Sequence, residues 1–142
     1  MEYSKVDTAH YMVRLDAGDE IVASLKKMAE AEQITFAMIQ GLGAVNDIIV
    51  GVFDVETKRY HSNMFTGNFE IVSLTGTIDR MKRTYYSHFH ISVGDARGMV
   101  LGGHLNKAVI SATAEIVVTL LEGEIDREYS EAVGLNLVRF KD

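Results

Sequence analysis

The sequence predicts an α+β fold, in which one helix lies against a largely antiparallel sheet of roughly eight or nine strands. Three observations support this prediction. The 142 residues fit a single domain, residues 1–142, and are enough to bury a hydrophobic core. Only one stretch repeats its apolar residues with a helical period. Most of the remaining chain is β-branched or alternates between apolar and polar residues, as strands do.

The predicted helix runs from Asp19 to about Ala31. Asp19 follows Gly18 and is a good N-cap, because its carboxylate can accept backbone N–H groups of the first turn. The apolar residues that fall on one face of this segment are Ile21, Leu25, Met28 and Ala29. This face predicts that the helix packs on the sheet.

Nine other segments are predicted as strands, and the chain has no proline, so its turns must use Gly, Asn and Asp. The segment Ile116–Leu121 is apolar on both faces, which is typical of a central strand or of one covered by another subunit. The predicted strands are Tyr11–Leu15, Thr35–Gln40, Ile48–Phe53, Lys58–Met64, Glu70–Ile78, Tyr86–Val93, Met99–His104, Thr113–Leu121 and Leu135–Phe140.

The composition excludes several classes of function. The chain has no cysteine, which excludes disulfides, iron–sulfur clusters, thiolate zinc sites and cysteine nucleophiles. Its formal net charge is −6 with no long basic run, a poor match to the phosphates of nucleic acid. Its N-terminus does not resemble a signal peptide, and no apolar run reaches the roughly 20 residues of a membrane helix. A cytoplasmic protein that does not bind membranes is therefore expected.

The segment with the strongest functional signal contains three histidines. His88 and His90 are two residues apart on a predicted strand, so their side chains point to the same face. The turn-like residues 94–98 predict a hairpin between this strand and the one that ends at His104. If the hairpin is symmetric about Ala96, His88 lies opposite His104 and His90 lies opposite Gly102. The three imidazoles then converge, and Gly102 leaves space for a metal or its open ligand position.

Three converging imidazoles predict a site for a divalent metal, with zinc the best match to the donor set. Three protein ligands leave a fourth position for water, a small molecule or a group from a partner. The isolated histidines His10 and His61 are interpreted as ordinary surface residues.

The only candidate for a catalytic residue is Glu115, and it is a weak one. It lies in an apolar strand, where an isolated charge is costly, and it could orient an imidazole or act as a general base. Pairing with an arginine at a strand end is the slightly favoured interpretation.

Gly41 and Gly43 resemble the start of a dinucleotide fingerprint but precede a strand, so they predict a sharp turn or bulge. The basic segment Arg80–Arg83 is predicted to be a hairpin tip.

Several motifs together resemble the plant and prokaryote conserved (PPC) domain, over about residues 11–140. His88-Phe89-His90 combined with Gly102-Gly103-His104-Leu105 is similar to the free-standing prokaryotic branch in particular. The other matching segments are Gly41-Leu42-Gly43, Gly67–Val72, Leu74–Thr77 and Ala112–Glu115.

The resemblance implies an α+β fold of seven or eight strands that usually forms a homotrimer, with the histidines near subunit boundaries. Free-standing members are often labelled DNA-binding by prediction, but in plant members the DNA contact belongs to a proline-containing AT-hook that this chain lacks. Plant members carry arginine where this chain has Asn68, in a motif for protein partners, and tend to have serine where it has His104. This difference favours metal binding over partner binding of the plant kind.

Three functions from different classes follow from these observations. The first is a metal-binding, self-assembling domain that binds a small molecule or has a regulatory role. The second is a metal-dependent hydrolase or lyase, because zinc with an open position can lower the pKa of bound water to about 7. The third is a DNA-associated regulator, which the negative charge argues against.

Overall fold

The computed structural model describes residues 1–140 and contains eight strands and one helix in that part of the chain. In chain order these are β1 (Glu2–Lys5), β2 (His10–Asp16), α1 (Ile21–Ala31), β3 (Ala37–Asp54), β4 (Arg59–Met81), β5 (Thr84–Gly94), β6 (Val100–Leu120), β7 (Asp126–Ser130) and β8 (Leu135–Arg139).

Six strands form one antiparallel sheet in the order β1-β2-β6-β3-β4-β5, and β7 and β8 form a separate two-stranded sheet. β5 also pairs with the beginning of β6, so that β3, β4, β5 and β6 close into a ring. The antiparallel α+β prediction is confirmed. The main sheet has six strands and not the predicted seven to nine, because two of the eight strands form a second sheet.

Three strands are much longer than predicted. β3, β4 and β6 each join two segments that the sequence predicted as separate strands. In β3 the predicted bulge is confirmed, because the register shifts between Gly41 and Gly43 without ending the strand. A Cβ atom on Gly43 would lie 2.5 Å from Ala114 Cα, so glycine is needed for the close approach of β6. β1 and β7, which the sequence analysis did not predict, are short strands of four and five residues.

The helix is confirmed, but its N-cap is Glu20 and not Asp19. The Glu20 carboxylate accepts hydrogen bonds from the backbone N–H groups of Val22 at 3.1 Å and Ala23 at 2.7 Å. Asp19 instead pairs with the N-terminal ammonium at 2.7 Å, which occupies the carboxylate expected to cap the helix. The predicted apolar face of α1 is fully buried against the sheet.

The core is built from the inward-facing residues of β2, β3, β4, β5 and β6 together with the buried face of α1. Burial alternates along β2 and along the second half of β6, as expected for strands with one face on the core. Among residues 1–140 there is no helix that is long and apolar enough to cross a membrane.

Candidate metal centre

The structure brings the three predicted histidines together. His88 and His90 lie on β5, His104 lies on β6, and the ring centroids are 5.1 to 5.6 Å apart. One ring nitrogen from each residue lies within 4.8 Å of the other two. Strand alternation places His88 and His90 on one face, and the β5–β6 pairing brings His104 to the same face.

The hairpin register differs from the one predicted. His90, and not His88, lies opposite His104, and Ser92 lies opposite Gly102. The Asp95 carboxylate accepts hydrogen bonds from the backbone N–H groups of Arg97 and Met99, which fixes a turn centred on Arg97. Because the shift moves each partner by two residues, every side chain stays on its predicted face and the histidines still converge.

Gly102 has a different role from the one expected. It does not open space for a metal, because a Cβ atom there would lie 2.2 Å from the backbone oxygen of Ile91. Glycine at this position lets β6 approach β5 closely enough to pair. A similar contact at Gly103, whose Cβ would lie 2.7 Å from the Gly51 oxygen, lets β6 approach β3. The two glycines therefore fix where His104 stands between its neighbouring strands.

Burial favours the neutral form of two of the imidazoles. Burial lowers the pKa of His88 and His104 below the ordinary value, and the neighbouring histidines lower it further. Neutral imidazole is the form that binds a metal. The environment of these side chains therefore suits metal binding at neutral pH.

The spacing between two of the three histidines matches that of two ligands on a tetrahedral ion such as zinc. Zinc–nitrogen bonds of 2.0–2.1 Å at tetrahedral angles place two ligating nitrogens about 3.3–3.4 Å apart. The Nε2 atoms of His88 and His90 are 3.3 Å apart. Among residues 1–140, no aspartate, glutamate or cysteine joins this group. The donor set is therefore three nitrogens, which leaves a fourth position for a further ligand.

A pocket of about 870 Å³ lies next to the histidines and is lined by all three of them. The β7–β8 hairpin forms one wall, and parts of β3, β4 and β5 form others. Aromatic and aliphatic residues dominate these walls, including Phe53, Tyr60, Tyr86, Tyr129 and Val138. The sequence could not indicate this pocket, because its walls come from strands far apart in the chain.

A buried ion pair attaches the β7–β8 hairpin to the closed ring of strands. Arg127 donates from Nε and Nη2 to the two carboxylate oxygens of Asp79, at 2.8 and 2.6 Å. Its guanidinium lies over the Tyr86 ring at 4.6 Å from the centroid, and Asp79 raises its pKa. Sequence reasoning missed both residues. The available signal was a carboxylate directly after the apolar strand end at Ile78.

The weaker candidates lie away from the histidines. Glu115 is exposed near the other end of β6, opposite Arg14 on β2, so the structure does not bring it to the cluster. Lys82 and Arg83 form the tight turn between β4 and β5 with φ angles of 52° and 67°, as the hairpin-tip prediction requires.

Three solved structures share this fold over nearly the whole chain. A candidate DNA-binding protein from Bacteroides thetaiotaomicron is 33% identical, with a TM-score of 0.94 over 98% of this chain and 96% of its own. A metal-containing protein from Archaeoglobus fulgidus is 31% identical, with a TM-score of 0.83 over 96% and 94%. A plant- and prokaryote-conserved protein from Pyrococcus horikoshii is 29% identical, with a TM-score of 0.85 over 99% and 96%.

Among curated proteins, the bifunctional protein GlmU of a Synechococcus strain is 28% identical over 129 residues. This match covers 87% of the present chain but only 19% of GlmU, so the chain spans about a fifth of that relative. Residues 3–122 match a family model described as the Plants and Prokaryotes Conserved (PCC) domain. PCC and PPC are two abbreviations for the same family. The chain therefore belongs to the PCC domain family.

Proposed function

We propose that this protein binds a divalent metal, zinc, through His88, His90 and His104, and that it acts as a small-molecule or regulatory binding module. The observation that carries the proposal is the convergence of three imidazoles, with 3.3 Å between two ring nitrogens. The metal-containing relative from Archaeoglobus fulgidus supports the same interpretation.

Self-assembly as a homotrimer is part of this proposal. The PCC resemblance implies it, and the outer face of the sheet offers an apolar surface that could be covered by another subunit. Met12 and Val117 are directly paired across β2 and β6, and Met38 and Leu42 lie on the same face of β3. All four are between 39% and 57% exposed. Light scattering is expected to return a trimer mass, and a monomer mass at working concentration would contradict it.

A metal-dependent hydrolase or lyase is the second candidate, and the pocket beside the histidines favours it. His88, His90 and His104 would hold the zinc ion, which would supply a Lewis acid beside a cavity large enough for a substrate. Among residues 1–140, however, no carboxylate lines the pocket. The Tyr60 ring lies 6.0 Å from the His104 ring, centroid to centroid, but its hydroxyl donates to Asn106 Oδ1. The binding module is therefore preferred over the enzyme.

Metal analysis tests the proposal directly. Protein purified without chelator or nickel resin is expected to carry close to one zinc per chain. His90→Ala is expected to lose it, because two imidazoles make a much weaker site. His10→Ala is the matched control, since the His10 imidazole lies at the start of β2, is 41% exposed and hydrogen-bonds to Asp7. Equal zinc content in the His90 variant would show that the cluster is not the metal site.

A further inference from the structure

We infer that the pocket beside the histidines binds a small organic anion, with a carboxylate at the metal position and an aromatic or aliphatic body against the walls. This inference rests on the proposed function, because the metal is the group that the carboxylate would contact. It adds the chemical class of the ligand, which neither the fold nor the histidines alone specify.

The charges at the site favour an anion. The three ligands are neutral imidazoles, so they leave the two positive charges of the metal uncompensated. Among residues 1–140, no carboxylate lines the pocket to supply the missing negative charge. Arg127 lines it too, but its charge is matched by the buried Asp79 at 2.6 Å. A ligand that brings one negative charge therefore complements the site better than a neutral one.

The walls favour an apolar body. Tyr129 and Val138 line the cavity, share the face of the hairpin that carries Arg127, and are 56% and 37% exposed, so together they leave apolar surface open to the cavity. Phe53 and Tyr86 contribute aromatic surface from β3 and β5. A molecule that covers these side chains removes apolar surface from water, which is favourable.

The size of the cavity excludes a ligand as small as bicarbonate or acetate as the best fit. At about 870 Å³ it lies within the range of roughly 300–1,000 Å³ that is typical of sites for small organic molecules. A carboxylate that carries a ring or a short alkyl chain fits a cavity of this size.

The protein loaded with Co²⁺ provides the test, because the visible absorption of tetrahedral cobalt reports on both the metal and its fourth ligand. We expect the full-length chain to take up Co²⁺, and its spectrum to change in titrations with acetate, benzoate and 2-naphthoate. Affinity should rise along this series as the apolar body grows. Benzamide, which has the same ring without the charge, should bind at least about tenfold more weakly than benzoate.

Two variants locate the apolar body. Val138→Ala is expected to weaken 2-naphthoate by about tenfold and to leave acetate unchanged, because only the larger ligand contacts that wall. Val72→Ala is the matched control, since Val72 is also an exposed strand valine but lines neither the pocket nor the proposed trimer surface. Tyr129→Ala repeats the test from the facing strand, where Tyr129 pairs with Asn136.

The outcomes separate the two proposals. If Co²⁺ does not bind, or binds equally after His90→Ala, both the metal site and the anion site are wrong. If Co²⁺ binds at the histidines but millimolar carboxylates leave its spectrum unchanged, the metal site stands and the anion site is wrong. Equal binding of benzoate and benzamide, or an unchanged naphthoate affinity in both wall variants, would also overturn the inference.

Discussion

The two ends of β6 lie in different surroundings, although they belong to one continuous strand. Its last residues run between β2 and β3, where Ala114, Ile116 and Val118 are fully buried against the core. Its first residues pair with β5 and bring His104 to a pocket instead of a core. The core end of β6 therefore contributes to stability, and the pocket end positions His104.

The difference shows how the fold separates stability from function. At the core end, apolar side chains pack on both α1 and the neighbouring strands. At the pocket end, apolar side chains of β7 and β8 face a cavity, and one buried ion pair attaches this hairpin to β4. Changes at the core end should therefore reduce stability, and changes among the histidines should reduce binding.

The largest expected effect is at the pocket end, at the ion pair that attaches the β7–β8 hairpin to β4. Asp79→Ala leaves the buried Arg127 guanidinium without its carboxylate and should lower the free energy of unfolding by about 3–5 kcal/mol. Urea denaturation measures this. The double variant Asp79→Leu with Arg127→Met should recover most of the loss, because no charge is then left unpaired. A loss below about 1 kcal/mol in the single variant would show that the pair does not hold the hairpin.

The core end should respond almost as strongly. Ile116→Ala removes a fully buried side chain between β2 and β3 and should cost about 2–5 kcal/mol of unfolding free energy, with the metal content unchanged. Val72→Ala, which is 59% exposed on β4 and outside the proposed trimer surface, is the control and should cost much less. If Ile116→Ala also emptied the metal site, the proposed separation between the two ends would fail.

The histidines at the pocket end should show the opposite pattern. His104→Ala is expected to weaken metal binding by at least about 10–100-fold, because one of three ligands is lost. The metal-free variant should melt close to the metal-free native protein, since His104 is not part of the buried core. Calorimetry with and without chelator measures both quantities. A large loss of stability in the metal-free variant would give His104 a structural role.

A smaller effect should follow when the strand spacing changes but the ligands do not. Gly102→Ala places a Cβ atom 2.2 Å from the Ile91 oxygen, so β5 and β6 must separate locally. Overpacking of this kind costs about 1–3 kcal/mol and should displace His104 from its partner His90. Gly94→Ala, in the same ladder but with an ordinary 3.5 Å contact to Val72, is the control. Equal metal affinity in both variants would contradict this role for Gly102.

The sequence predicted the parts of this structure that depend on local periodicity. The helix and its buried face follow from the helical period of its apolar residues. The convergence of the histidines follows from side-chain alternation along strands, which a shift of two residues in register does not disturb. The prediction of Asp19 as the N-cap was wrong, because the N-terminal ammonium, which is distant in sequence, pairs with Asp19. The pocket and the Asp79–Arg127 pair could not be predicted, because they depend on where the β7–β8 hairpin packs.

The smallest expected effect concerns DNA, which the relative from Bacteroides thetaiotaomicron is described as a candidate to bind. We expect no appreciable binding of duplex DNA at physiological salt, because the net charge of −6 per chain repels phosphates and is tripled in the proposed trimer. The basic cluster of Arg80, Lys82 and Arg83 at the tip of the β4–β5 hairpin is the strongest local exception to this negative charge. Arg80 and Arg83 line a surface groove that Glu30 also lines, so a negative charge lies beside them. Fluorescence anisotropy with a labelled duplex at two salt concentrations measures this. A salt-sensitive submicromolar affinity that disappears when the three basic residues are replaced by alanine would overturn the prediction, and it would place a second functional surface at the tip of the β4–β5 hairpin.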